Sequence, residues 1–125
     1  MDVSVNRDGT PHIAIIHSAD ILIADVDDAL DLMATVAHEH GCDAMVISKS
    51  AITERFFDLK TGLAGEILRK FTNYRFKVAI IGDFEVYSSP SLRGFLRESN
   101  QGNQLFFLPT EESAIARFHA LGTNG

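Results

Sequence analysis

The chain has 125 residues, with no tryptophan, one cysteine and three prolines, and its 11 lysines and arginines are outnumbered by 17 aspartates and glutamates. Each shortage excludes something. A lone Cys42 cannot close an internal disulfide, so stability has to come from a packed core, and a reducing cytoplasm is the expected compartment. A formal net charge of -6 argues against nonspecific binding to nucleic acid or to an anionic membrane, while leaving room for a basic protein partner. Unbroken apolar runs are only a few residues long, too short to span a bilayer as a helix. Met1-Asp2-Val3-Ser4 lacks the basic and apolar blocks of a signal peptide. Repeats, low-complexity tracts and Pro/Gly-rich linkers are missing too, so the expectation is a single domain over residues 1–125.

What is present is a 46% hydrophobic content laid out in clear periods. Val3-Ser4-Val5 and His12 to His17 read as two strands joined by the turn chemistry of Asn6-Arg7-Asp8-Gly9. Ile21-Leu22-Ile23 either extends the sheet or lies over the core as a loop. Asp25 is placed to cap a helix whose apolar face carries Val26, Ala29, Leu30, Met33, Val36 and Ala37, and Gly41 stops it. Ala44 to Ser48 and Lys77 to Gly82 are nearly all apolar, as strands covered on both faces are. A helix is expected from Thr61 or Gly62 to about Phe71, with Thr53 capping a short turn before it. Another opens at Ser89-Pro90 and ends near Asn100 to Asn103. Gln104 to Leu108 is a last strand, Thr110 caps a last helix, and Gly122 to Gly125 reads as a loose tail. Strands alternating with helices in this order imply right-handed crossovers. The fold class is therefore α/β, with about five strands in a mostly parallel mixed sheet, an N-terminal hairpin and four helices.

This order resembles that of the STAS domain, named for sulfate transporters and anti-sigma factor antagonists. Asp58-Leu59-Lys60-Thr61-Gly62-Leu63 stands where that family carries an Asp-Ser-Ser-Gly-Leu-Gly-like loop, whose serine is phosphorylated by a partner kinase. The segment here is one residue longer, and Thr61 is its only hydroxyl. The resemblance implies a protein partner and a modifiable hydroxyl at a helix entrance. Over nearly its whole length the chain is also similar to an uncharacterised bacterial family, domain of unknown function 4180. The residues that carry this are Asp28 to Ala34, Phe56 to Leu68, Gly82-Asp83-Phe84 and Glu98-Ser99-Asn100. That resemblance brings no activity with it.

Open parallel sheets place ligands beyond the carboxyl ends of their strands. Here those ends carry Lys49, Ser50 and Asp83, with Pro109-Thr110 and the helix entrances at Thr61 and Ser89 nearby, a hydroxyl-rich rim that suits an anion or a modified hydroxyl. Capping alone accounts for the same hydroxyls. Arg93 and Arg97, one turn apart, are available to an acidic group or stand on a solvated face. Gly62 and Gly65 lack the phosphate-loop lysine and the dinucleotide glycine triplet, and are read as small residues that let a helix approach the sheet. His38 and Cys42 share a helix face but have no second pair to complete a zinc site, and Asp25, Asp27, Asp28 and Asp31 lack the spacing of a calcium loop. No metal and no cofactor are expected.

The reading is a cytoplasmic, non-enzymatic, protein-binding regulatory domain that acts through Ser50, Thr61 and Asp83. Its rivals are a small-molecule site near Asp83 walled by Phe56, Phe57 and Phe84, and a homodimer that buries Phe84, Tyr87 or the hairpin edge.

Overall fold

The structure is a computed structural model and describes residues 1–124. The strands are β1 (Asp2–Asn6), β2 (Ile13–His17), β3 (Ala44–Ser48), β4 (Lys77–Ile81) and β5 (Leu105–Leu108). The helices are α1 (Val26–His40), α2 (Leu63–Asn73), α3 (Pro90–Gln101) and α4 (Glu111–Asn124). Three short 3-10 turns, Lys49–Ala51, Glu54–Phe57 and Leu59–Thr61, connect β3 to α2. The order expected from the sequence periods, a hairpin followed by alternating helix and strand, is the order formed.

The strands lie in sequence order across one sheet, β1 antiparallel to β2 and every later pair parallel. Each parallel step moves one strand in the same direction, so right-handed crossovers place α1, α2 and α3 on a single face. Strand alternation shows the result. Ala14, Ile16, Met45, Ile47, Val78, Ile80, Leu105 and Phe107 pack against those three helices. The intervening residues Ile13, Ile15, Ala44, Val46, Ala79, Phe106 and Leu108 face Ala114 and Phe118 of α4. One face is thus covered by three helices and the other by one.

Local chemistry sets most boundaries as the sequence predicts. Asp25 caps α1, its carboxylate accepting from the Asp28 N–H at 2.8 Å, and Gly41 ends the helix at φ 64°, a left-handed value that glycine adopts without penalty. Ser89 caps α3 with Pro90 in its first turn, and Thr110 accepts from the Ser113 N–H at 3.1 Å ahead of α4.

One open alternative is resolved and three local expectations are corrected. Of the two alternatives for Ile21 to Ile23, the segment is a loop that makes a single parallel bridge, Ile23 to Ile52, with the Ile23 N–H donating to the Ala51 carbonyl and the Thr53 N–H to the Ile23 carbonyl. The helix after β3 begins at Leu63, since Leu59–Thr61 closes its own 3-10 turn first. Gly62 and Gly65 do not ease packing, because a Cβ at either would meet nothing. Finally, α4 continues through Asn124 instead of fraying after Leu121, with Gly122 pressed against the Thr10 carbonyl where a larger residue would collide. Gly125, the end of the expected tail, lies outside the described residues.

Candidate functional site at the carboxyl ends of the strands

The turn after β3 and the loop after β4 meet above the sheet and build one connected polar cluster. Gly82, just past β4, lies so close to Lys49 that a Cβ there would stand 2.9 Å from the lysine Cβ. That approach lays the Lys49 ammonium 4.7 Å from the Tyr87 ring centroid and 6.0 Å from that of Phe57. The same ammonium is 4.0 Å from Glu54 Oε1, and the Tyr87 hydroxyl donates to both Glu54 oxygens at 3.2 Å. Glu54 is 72% exposed, so its ion pair with Lys49 is screened and adds little stability, and it serves mainly to fix geometry. Burial first, and then the Glu54 carboxylate beside it, push the Tyr87 phenol well above the ordinary tyrosine range. Tyr87 is therefore a fixed hydrogen-bond donor at neutral pH.

Arg93 extends the cluster across to α3, donating from Nη1 to the Tyr87 carbonyl at 2.9 Å and standing 3.7 Å from Glu85. Asp83 turns its carboxylate onto the Glu85 N–H at 3.0 Å, tightening the loop. Beneath lies an aromatic floor. Phe57 stacks on Tyr87 at 5.0 Å and 16°, and Phe107 meets Phe56, Phe57, Phe84 and Phe95 at centroid distances of 5.4 to 6.3 Å. The loop after β4 is thus held from below by ring packing and from above by hydrogen bonds.

The predicted residues separate into four places. Lys49, Asp83 and Arg93 come together, and Asp83 and Arg93 line a cleft of about 560 Å³ with Phe84, Arg97 and Phe107. Ser50 lies on the other side of the sheet end, in a groove of about 620 Å³ over Ile15, Val46 and Ile81, where its hydroxyl pairs with that of Ser48 at 3.0 Å. Thr61 lines neither. Its hydroxyl donates to the Asp58 and Arg55 carbonyls at 2.8 and 3.0 Å and accepts from the Leu63 N–H at 3.2 Å. Ser89 is occupied as the α3 cap, accepting from the Leu92 N–H at 3.4 Å. The expected wall of three phenylalanines is corrected: Phe56 and Phe57 are buried in the core at 2% and 5% exposure, and only Phe84 reaches the cleft.

Sequence reasoning missed Glu54 altogether and weighed Tyr87 only as an oligomer contact. They bond across 33 residues, a separation that no helical or strand period encodes. Elsewhere, Cys42 is buried at 2%, donates to the His40 carbonyl at 3.4 Å, and has its thiol raised chiefly by burial, which makes it a poor nucleophile. Among the described residues no group of three or more His, Cys, Asp or Glu side chains is gathered to hold a metal ion.

Fold and site together define an α/β protein with a mixed five-stranded sheet, helices on both faces and a polar cluster at the carboxyl ends of its strands. The profile of the domain of unknown function 4180 matches residues 8–118, and the chain belongs to that family. A solved structure similar to this chain is that of a candidate anti-sigma factor antagonist from Thermotoga maritima, at 12% sequence identity and a TM-score of 0.47, with 94% of this chain and 92% of that chain covered. No curated protein matches the chain. Among the described residues no helix is long and apolar enough to cross a membrane.

Proposed function

We propose that the chain is a non-enzymatic regulatory domain that binds a protein partner through the rim at the carboxyl ends of β2, β3 and β4. One observation carries this reading. Among the described residues, large apolar side chains are strongly exposed at Met1, Ile21, Tyr74 and Val86, and all but Tyr74 lie at this end. Met1 is there because Asp2 pairs with His17, the last residue of β2, while Ile21 and Val86 follow β2 and β4. Exposed apolar groups gathered at one end of a fold supply the apolar part of a protein interface, and the charged side chains of Lys49 and Glu54 at the same end suit its polar rim.

Of the hydroxyls singled out from the sequence, Ser50 is the one best suited to modification, being exposed and bonded only within its own turn. A phosphate on Thr61 would instead push a dianion against two carbonyl oxygens that now accept its proton.

The test is site-specific photo-crosslinking in the native host, with the crosslinker at Val86 and, as control, at the exposed Ala120 far along α4 from the rim. A protein adduct from Val86 alone, lost in an Ile21→Asp variant that keeps its circular dichroism, supports the rim. Adducts of equal yield from both positions would sink it. Intact-mass analysis of the same sample decides between Ser50, Thr61 and no modification.

The cleft beside Asp83 favours a second reading, a small-molecule site, because its volume of about 560 Å³ lies in the range of ligand pockets. Arg97 projects into it with no hydrogen bond or ion pair among the described residues, so an anionic ligand would lose affinity in Arg97→Ala.

A further inference from the structure

At the opposite end of the sheet a groove of about 440 Å³ runs between α1 and the turn that leads into β4. Its floor is apolar, built from Leu30, Met33 and Phe76, and Tyr74 forms one lip with 66% of its surface exposed. Asp43 precedes β3 and Phe76 precedes β4, so this surface sits at the amino ends of the strands, away from the rim. It does not depend on the rim's role.

Two features say what would fill the groove. Asp31 and Asp43 line it, neither carboxylate has a hydrogen bond or ion pair among the described residues, and the lining holds no lysine or arginine, only His38 and the Tyr74 phenol besides. Arg75 follows Tyr74 in the chain but does not line the groove. The groove therefore presents negative charge on an apolar floor, in a chain that already carries a net charge of -6. A second copy would bring the same sign to the same place, whereas a cationic partner gains from it. The shape favours a helix. Ala34 and Ala37, one turn apart on α1, are exposed and line the groove, so their small side chains leave room for a helix to lie close along α1.

We propose that this groove is a second docking surface that takes a basic amphipathic helix from a protein partner, its apolar stripe on Leu30, Met33 and Tyr74 and its lysines or arginines against Asp31 and Asp43. With the rim free at the other end, the domain can hold two partners at once.

The probe is a synthetic leucine–lysine amphipathic helix carrying one tryptophan, titrated with the full chain. The chain has no tryptophan of its own, so the peptide's emission alone reports burial. A saturable blue shift is expected. The double variant Asp31→Lys, Asp43→Lys should weaken binding by about tenfold or more, and Tyr74→Ala should also weaken it. A control double variant, Glu98→Lys with Glu112→Lys, changes net charge equally and should bind within about twofold of the parent. All five positions are exposed, and circular dichroism confirms that each variant is folded. An absent or non-saturating shift overturns the proposal, as does a control variant weakened as much as the groove variant, which would mean bulk charge attraction only. Concentration-dependent self-association abolished by Tyr74→Ala would assign the face to a second copy and likewise overturn it.

Discussion

Asn100 on α3 holds the backbone of Phe107 on β5 with both ends of its carboxamide: Nδ2 donates to the Phe107 carbonyl at 3.0 Å, and Oδ1 accepts from the Phe107 N–H at 2.7 Å. Bonds between β4 and β5 run through Gln104 and Leu108, so the Phe107 groups point away from the sheet, toward the edge. The side chain thus does the work of a sixth strand at the point where the edge would otherwise stand open. Arg117 from α4 donates to the Asn100 carbonyl at 3.0 Å and anchors the cap from behind.

Replacing Asn100 by Leu should cost about 1–3 kcal/mol, since two backbone groups lose their partners at a part-buried site. Urea denaturation measures the loss, and light scattering should show association through the exposed edge. Asn100→Asp, which keeps the acceptor and loses the donor, should fall between. A stable, monomeric leucine variant would show that the edge is protected by something else.

Tyr87→Phe should cost about 0.5–1.5 kcal/mol at neutral pH through the lost bond to Glu54. The alkaline behaviour follows from the raised phenol. Folded Tyr87 keeps its proton where the unfolded chain gives it up, so its stabilising contribution is complete below about pH 10 and declines as pH rises above that. Unfolding curves across the alkaline range should therefore be flatter for Tyr87→Phe than for the parent. In a Tyr74→Phe background the tyrosinate absorbance reports Tyr87 alone and should develop above the ordinary range.

Thr61→Val keeps the shape and removes a hydroxyl that closes the Leu59–Thr61 turn and meets the first amide of α2. A loss of about 1 kcal/mol is expected, in line with other helix caps. Hydrogen exchange should localise it to faster exchange at the start of α2. Unchanged protection at Leu63 and Ala64 would remove Thr61 from that role.

Gly82→Ala places a methyl group against Lys49 Cβ, at the rigid end of that side chain, so backbone has to move. Destabilisation of about 1–3 kcal/mol is expected, as for overpacking elsewhere. The lysine should also shift away from Tyr87, which the Tyr87 ring resonances in an NMR spectrum would register.

The parts legible in the sequence are those whose causes lie within a turn or a strand. Asp25, Gly41, Ser89 with Pro90, and Thr110 each act on amides or carbonyls a few residues away, so they could be placed from local chemistry. Period-two and period-3.6 patterns likewise located the strands and helices, and their alternation implied the parallel sheet. Boundaries slipped where short-range bonds competed, as at Thr61, whose hydroxyl serves a 3-10 turn as well as the helix after it.

The candidate site was only half legible. Lys49, Ser50 and Asp83 follow from the rule that ligands gather at strand carboxyl ends, since a strand's last residues can be counted. That Lys49 joins Tyr87 and Glu54 while Ser50 turns to the other face, and that Phe56 and Phe57 become floor instead of wall, depends on how the turn after β3 packs beneath the loop after β4. Local sequence determined the elements, their caps and their order, because those rest on dihedral preference and hydrogen bonds of short reach. Only the tertiary structure decided which side chains share a surface, because contacts between residues 33 apart, such as Glu54 and Tyr87, exist only once the sheet has brought its strand ends side by side.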